Sequence, residues 1–504
     1  MDIATIGIVG AGAMGRGIAQ VAAEGGLHVL HYDTKAAAAG EARDFAAGMI
    51  SRKVDKGVMP AAEGEAASAR IETVAELGAL RDVDLVVEAV VEDLGVKREV
   101  FRTLDGIVGE AAILATNTSS LSITEIAAGC PRPERIAGFH FFNPVPLMRI
   151  VEVIPGILTA EPIVDRLCDL AERIGHRPVR AADTPGFLVN HAGRGYKPEA
   201  LRAFDEGVAD HVVIDRILRD GIGFRMGPFE LMDLVGLDVS QPVMEEIYQQ
   251  FYNEPRFRPN PHMRRRMKAG LLGRKTGAGF YRYEGNRRID PPYQEFRKGQ
   301  VGPVLVAECE DQEARALLIA RLEAASIALV ANPEDAELYV VMPYGADCTG
   351  AALEHGFPPE LTVAVDPCCA LDGRPMVSRM AVIMTNPATD PQAAEAFAAA
   401  LDGVEGEAVL IADSPGFVAQ RVLANIVNVA SDIALKGIAT PGDIDVAVRL
   451  GLGYPKGPLE IGDLMGPRRV LRLLEWLYAT TGDQRFRASL WLRRRALLGL
   501  PLSA

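Results

Sequence analysis

The chain contains itself twice. DTPGFLVN at 183–190 returns as DSPGFVAQ at 413–420, and MGPFELMDLVG at 226–236 returns as KGPLEIGDLMG at 456–466, both after 230 residues. RFR at 256–258 returns at 485–487, and RRR at 264–266 at 493–495, both after 229. A period this long is a duplicated domain and not a solenoid repeat of roughly 20–50 residues, so the fold must accommodate one unit in two places. The length of 504 residues agrees, because one hydrophobic core does not grow to that size.

Around the repeated segments the texture alternates. Strand-like runs TIGIV (5–9), DLVVEAVV (84–91), AILATN (112–117), RIAGFHFF (135–142) and RIVEVI (149–154) are separated by helical stretches, the pattern of a mostly parallel, doubly wound sheet. From Asp183 long amphipathic segments take over, as in a helical domain. The stretch GNRRIDPPYQEFRKGQVG is polar with a proline pair and reads as a linker. Strand-like runs then resume at PVLVAE, ELYVVMP, LTVAVDP, RMAVIMT and EAVLIAD, giving a second α/β unit before the second helical repeat.

A net charge of −14 argues against nucleic acid or an anionic membrane as partner, so any anionic ligand must meet local cations. The six cysteines contain no C-x-x-C pair, which disfavours a disulfide framework or a zinc site and favours a reducing cytoplasm. No export signal or membrane anchor is expected.

GAGAMG at 10–15 sits between a strand and a helix. Gly10, Gly12 and Gly15 permit the tight turn, the close approach of a pyrophosphate to the helix N-terminus, and close helix–sheet packing. Asp33 ends the next strand, where a carboxylate accepts from adenosine ribose hydroxyls and repels a 2′-phosphate, favouring NAD over NADP. A second constellation is His140 in HFFNPVP with Glu152 in RIVEVI. An imidazole held by a carboxylate suits removal of a hydroxyl proton near neutral pH. Spacing alone does not bring the two together, and a buried histidine on a backbone partner with a surface glutamate fits the residues equally well. Phe141 and Phe142 read as core, and NTSS at 117–120 as a turn or a hydroxyl-bearing ligand loop.

Taken together, GAGAMG, VVEAVVED, NTSSLSI, GFHFFNPVPLM, DTPGFLVN, MGPFELMDLVGLD and LLGRKTGAGFY resemble the 3-hydroxyacyl-CoA dehydrogenase family over residues 1 to about 284. The resemblance implies NAD-dependent oxidation of the 3-hydroxyl of an (S)-3-hydroxyacyl-CoA to a ketone, in fatty-acid or aromatic-acid degradation. It implies His140 as general base, Glu152 as its partner, and Ser119 and Asn190 as groups that bond the reacting oxygen and orient the acyl group. On the cofactor side it implies Glu92, Lys97, Asn143 and Lys275. For the phosphates of CoA the candidates are Lys53 and Lys56 with Arg52, and RRRMK at 264–268 is the rival. A β-hydroxyacid dehydrogenase acting on small free acids is the alternative enzyme, and a non-catalytic NAD-binding homologue the alternative to an enzyme.

The expected architecture is therefore α/β plus all-α: an NAD-binding Rossmann-type domain (1–182), a helical domain (183–285), a linker (286–302), a degenerate Rossmann-like domain without a cofactor loop (303–412) and a second helical domain (413–504). In the second half PVLVAE leads into CEDQEA where glycines are needed. Glu308, Glu310 and Asp311 would repel a pyrophosphate there. Placing MTNPA against FFNPV sets Ile383 opposite His140 and Asn386 opposite Asn143, with Gln420 opposite Asn190, so no proton acceptor is expected and one active site per chain follows. The first repeat departs from the family after Asn190, where HAGRGYKPEA bears on the shape of the acyl pocket. The family pairs helical domains between subunits, and the duplication is expected to supply that partner within the chain as a pseudo-dimer, with homo-oligomer formation left open.

Overall fold

A computed structural model describes residues 3–504. The leading apolar runs form one sheet from β1 (Thr5–Val9), β2 (His28–Tyr32), β3 (Ile71–Thr73), β4 (Leu85–Glu88), β5 (Ile113–Thr116), β6 (Ile136–Phe141), β7 (Ile150–Pro155) and β8 (Arg177–Arg180), in the order β3-β2-β1-β4-β5-β6-β7-β8. Alternate residues feed opposite faces. Leu85, Val87, Ile113 and Ala115 pack with Ile18 and Val21 of helix Ala13–Glu24 and with Leu167 of helix Glu161–Arg173. Val86 and Leu114 pack with Phe101 and Leu104 of helix Leu94–Ile107. Cover on both faces is why these strands read as unbroken apolar runs. Strand order reverses between β1 and β4, which opens a crevice at the carboxyl ends where ligands bind in sheets of this kind. One pair departs from the parallel pattern: β7 runs antiparallel to β6.

The stretch read as a linker begins in a short hairpin of β9 (Arg282–Glu284) and β10 (Arg287–Ile289). A second sheet follows, β11 (Val304–Val306), β12 (Leu338–Val341), β13 (Thr362–Val365), β14 (Met380–Thr385) and β15 (Glu407–Ile411), in that order. Its one antiparallel pair is β13 with β14. Counting outward from the antiparallel pair in each sheet equates β13 with β6, β12 with β5 and β11 with β4.

Two expectations are thereby corrected. PVLVAE stands for β4 and not for the glycine-loop strand, and the second sheet has no counterpart of β1, β2 or β3 among the described residues. Asp311 caps helix Gln312–Ala324 by accepting from Ala314, as Asp93 caps Leu94–Ile107 by accepting from Val96, so the acids at 310–311 replace Glu92 and Asp93 rather than glycines. The second correction concerns His140. In β6 and β7 His140 faces Glu152, whereas in β13 and β14 Val365 faces Ile383 and the next residue, Asp366, donates its N–H to Val382. Asp366 therefore takes the place of His140, Val382 that of Glu152, and Asn386 that of Gly156. An acid does remain there. It is fully buried, burial pushes its carboxyl up to about 7, and it accepts from Gln420, the counterpart of Asn190, at 2.8 Å. Aligning on the NP dipeptide misled because Asn143-Pro144 follows β6, whereas Asn386-Pro387 follows β14, the counterpart of β7.

The chain forms two compact units, residues up to 191 with 436–452, and residues 192–435 with 453–504. The repeats exchange one segment each. In the first unit, segment 436–452 of the second repeat lies against β7 and β8, Ala182 donating to the Ile438 carbonyl at 2.8 Å and Val189 packing beside Gly451. In the second unit the matching segment of the first repeat lies against β14, Ala412 donating to the Val208 carbonyl at 2.8 Å and Arg216 pairing with Glu407 at 2.7 Å.

Also within the second unit, helix Val418–Leu435 of the later repeat packs on helix Lys197–Asp205 of the earlier one. Glu199 at that seam accepts from Arg421 at 2.9 Å and from Arg485 at 3.1 Å, all three being buried. Glu199→Ala removes the buried one of the two acids that Arg421 and Arg485 share, Glu206 being the other, and is expected to destabilise the chain by about 3 kcal/mol, the low end for a broken buried ion pair. A thermal melt checks this, and an unchanged midpoint contradicts it. Among the described residues no helix is long and apolar enough to cross a membrane.

Candidate active site

The glycine loop leaves β1 at the strand-order reversal. Gly10 has φ +109°, and a Cβ there would lie 2.5 Å from the Ala89 carbonyl oxygen. A Cβ on Gly15 would lie 1.9 Å from the Gly10 oxygen, while one on Gly12 would meet nothing within 4 Å. The outer glycines are thus packing requirements, and the middle one keeps open space at a helix N-terminus that no side chain caps. These residues fit a dinucleotide pyrophosphate. Asp33 holds the loop from the next strand, Oδ2 accepting from Ala11 N–H at 2.8 Å and Oδ1 from Lys35 N–H at 2.9 Å. His31, which the sequence reading passed over, has Nε2 2.9 Å from the Gly10 oxygen, and burial lowers its pKa, so a neutral ring donates to that carbonyl. Asp33→Asn keeps an acceptor for Ala11 but removes the charge. It is expected to weaken NAD about tenfold or more, the scale of a charge-assisted hydrogen bond, and to narrow the preference over NADP. Affinities for both dinucleotides check this, and unchanged discrimination contradicts it.

His140 and Glu152 are brought together by the antiparallel strands. Directly opposed residues in such a pair have neighbouring side chains, and Nδ1 of His140 lies 2.6 Å from Oε2 of Glu152, which is fully buried. The second oxygen accepts the backbone N–H groups of Leu188 at 3.0 Å and Val189 at 2.8 Å. One carboxylate therefore seats both the imidazole and the segment carrying Asn190. With Nδ1–H donated to Glu152, the lone pair is on Nε2. The ring lies against Phe142, centroids 4.5 Å apart, and Phe187 at 5.9 Å. Phe141 is core, and its N–H donates to Asn117 Oδ1 at 2.8 Å, tying the NTSS segment to the histidine strand.

Ser119 lies on that NTSS loop, and Asn190 Nδ2 reaches its carbonyl at 3.5 Å. Glu92 holds the loop from below, accepting at 2.7 Å from the Thr118 hydroxyl and at 2.8 Å from the Ser119 N–H. Burial pushes the Glu92 carboxyl up, but Lys97 and these hydrogen bonds outweigh it and hold it below the usual range. Lys97 is only 1% exposed, unlike a solvated lysine, with its ammonium 2.6 Å from Glu88 and 3.3 Å from Glu92. Glu88 went unread because VVEAVVED contains three acids in an apolar run, and only the end of β4 distinguishes the first.

The CoA candidates line a cavity of about 480 Å³ with Arg16, Phe45, Met49, Leu147 and Arg149. Lys53, Lys56, Arg52 and Asn143 all border it. Lys53 is paired with Glu24 at 2.7 Å, and Arg16 lies 3.9 Å over the Phe45 ring. Arg16 and Arg149 are distant in sequence from the SRKVDKG run, so no local charge pattern flagged them. In the RRRMK rival, Arg266 donates to the Gly279 carbonyl and covers Phe280, a packing role. Lys275 belongs to the second unit, where its ammonium pairs with Asp238 at 2.5 Å.

A dinucleotide crevice, a buried histidine–glutamate pair and a serine–asparagine loop in one unit define an oxidoreductase of hydroxyl groups. Residues 5–184 match the NAD-binding domain of 3-hydroxyacyl-CoA dehydrogenase, and residues 186–283 and 416–501 match the C-terminal domain of that family. The chain belongs to the 3-hydroxyacyl-CoA dehydrogenase family and is an NAD-dependent enzyme of that class. It is 38% identical to the 3-hydroxyadipyl-CoA dehydrogenase of Escherichia coli K12 over 499 residues, 99% of this chain and 98% of that one. A probable 3-hydroxybutyryl-CoA dehydrogenase of Bacillus subtilis is 41% identical over 56% of this chain and 99% of its own length. The crystal structure of 3-hydroxybutyryl-CoA dehydrogenase from Escherichia coli K12 superposes with a TM-score of 0.86 at 36% identity, covering 99% of both chains.

Proposed function

We infer that the first half oxidises (S)-3-hydroxyacyl-CoA to 3-oxoacyl-CoA, with His140 as general base, Glu152 as its orienting acid, and Ser119 and Asn190 as ligands of the reacting oxygen. The observation that carries this is the 2.6 Å contact between His140 Nδ1 and a Glu152 that also seats the Asn190 segment. NAD, when bound, accepts the hydride that leaves carbon 3. His140 Nε2 takes the hydroxyl proton as the carbonyl forms, and Glu152 stabilises the imidazolium through Nδ1–H. Gly10, Gly12, Gly15 and Asp33 hold the dinucleotide, with Glu92, Lys97 and Asn143 bordering its nicotinamide end. The cavity lined by Arg16, Arg52, Lys53, Lys56 and Arg149 suits the phosphates of CoA, with Phe45 and Leu147 as apolar lining. A small free acid would not need it, which disfavours the β-hydroxyacid reading.

The four-domain division in chain order, with a degenerate third domain, describes the duplication as a pseudo-dimer. The pseudo-dimer is supported by the Glu199 seam and by the reciprocal Ala182–Ile438 and Ala412–Val208 hydrogen bonds, through which each repeat lends one segment across the chain-order boundaries. Cysteine usage favours the cytoplasm.

NADH formation against 3-hydroxyacyl-CoAs of rising length, including 3-hydroxybutyryl-CoA and 3-hydroxyadipyl-CoA, tests the reading. Turnover on at least one of these and none on the free acids is expected. Turnover on free acids alone would overturn it.

A further inference from the structure

The segment HAGRGYKPEA, which follows Asn190, places two cations inside the second unit. Arg194 is buried in the short 3-10 turn Gly193–Gly195, and Lys197, partly buried, opens helix Lys197–Asp205. Residues three apart on a helical run are neighbours. The charge that bears on Lys197 is that of Arg194, of the same sign, and among the described residues no carboxylate offsets it, so burial and Arg194 together push the ammonium down to about 7. A cation withdrawn from water is ordinarily met by an acid, as Glu199 of the same helix meets Arg421 and Arg485.

An aromatic cluster adjoins the pair. The Tyr196 ring lies 4.6 Å from that of Phe224, which lies 5.1 Å from that of Tyr454. Tyr196 donates its hydroxyl to the Met226 carbonyl at 2.9 Å. The hydroxyl of Tyr454, a buried residue in the field of Arg194, has no hydrogen-bond partner among the described residues. Across the seam a Cβ on Gly195 would lie 2.5 Å from Ile426 Cα, and both amide atoms of the preceding Asn425 are buried without such a partner. Buried polar groups are normally satisfied, so several unfilled in one seam need an explanation.

The duplication supplies the comparison. Displaced by 230 residues, Arg194, Lys197 and Tyr454 correspond to Ala424, Val427 and Phe224, all apolar and buried. These helices therefore pack without the cluster, and the two cations stand only in the repeat that carries Asn190.

We propose that Arg194, Lys197 and the Tyr454 hydroxyl form a carboxylate-binding site. One carboxylate has lone pairs for the guanidinium, the ammonium and the phenol together, and such charge-assisted bonds are the strong ones. Arg194 follows Asn190 by four residues, so chain length alone keeps it within about 14 Å. The favoured source of the carboxylate is therefore the far end of a dicarboxylic acyl-CoA, which makes these residues determinants of substrate class. That source rests on the reading of Asn190 as an acyl ligand, and a free small anion is the other source.

Adipyl-CoA and hexanoyl-CoA match in chain length, differ in the terminal carboxylate and carry no 3-hydroxyl, so calorimetry on the full-length chain compares their binding without turnover. Adipyl-CoA is expected to bind about 10–100-fold tighter, the scale of hydrogen bonds to charged groups. Lys197→Met should bring the ratio of the two affinities close to one, and Tyr454→Phe should lower it severalfold. If the two ligands bind alike but acetate raises the melting temperature over chloride at equal ionic strength, in the wild type and not in Lys197→Met, the site stands and its anion is a free one. Equal affinities without that rise, or a wild-type ratio in Lys197→Met, overturn the proposal. A preference for adipyl-CoA in a chain that oxidises no 3-hydroxyacyl-CoA would overturn the proposed oxidation alone. Should Lys197→Met not fold, Tyr454→Phe, which removes one oxygen, carries the same comparison, and an unchanged ratio there overturns the proposal.

Discussion

His140→Ala is expected to lower kcat for NADH formation by roughly 10²–10⁴-fold, the range assigned to a positioned general base, while NAD affinity stays close to that of the wild type. Asp33, proposed with the glycine loop to hold the dinucleotide, is bonded to Ala11 and Lys35, while Nδ1 of the imidazole is committed to Glu152. Loss of an interaction made only as the proton moves lowers kcat and kcat/KM together. Stopped-flow NADH absorbance and a calorimetric NAD titration separate the two effects. Unchanged turnover removes His140 as base, and a parallel loss of NAD binding would show that the residue is structural.

Glu152 is expected to divide into two effects. In Glu152→Gln the amide oxygen still accepts from Leu188 and Val189, but the amide N–H₂ donates to Nδ1 and moves the ring proton to Nε2, the wrong tautomer for a base. A rate loss of about 10³–10⁴-fold with little change in melting temperature is expected, on the scale known for such tautomer errors. Glu152→Ala adds two orphaned backbone N–H groups in a buried site, each costing about 1–3 kcal/mol. It should therefore melt well below Glu152→Gln. Equal melting temperatures for the two variants contradict the seating role, and wild-type turnover in Glu152→Gln contradicts the tautomer role.

What the sequence disclosed and what it hid follow from the range of the interactions. The glycine loop and Asp33 were legible because a strand, a turn and a helix within about 30 residues specify their geometry locally. His140 and Glu152 were visible as residue types but not as neighbours, since alternating strands and helices imply a parallel sheet and β7 runs the other way. Lys97 read as readily as a solvated lysine because the burial of an ammonium depends on Glu88, on another strand end. The second half was misread for a related reason. A short strand followed by acids looks like a damaged cofactor loop until sheet order identifies it as β4, and Asp366 was invisible as the stand-in for His140 until the register of β13 and β14 was known. The exchange of segment 436–452 leaves no local trace at all, since the amphipathic period of a helix names the face it buries but not the sheet that receives it.

The most direct test of the chemistry uses (S)-3-hydroxyacyl-CoA deuterated at carbon 3. The wild-type chain should place that deuterium on the reduced nicotinamide in step with formation of the 3-oxo product, and His140→Ala should do neither on the same time scale. Reduced cofactor without the label would contradict hydride transfer from carbon 3, and labelled cofactor at an undiminished rate from His140→Ala would contradict proton removal by His140.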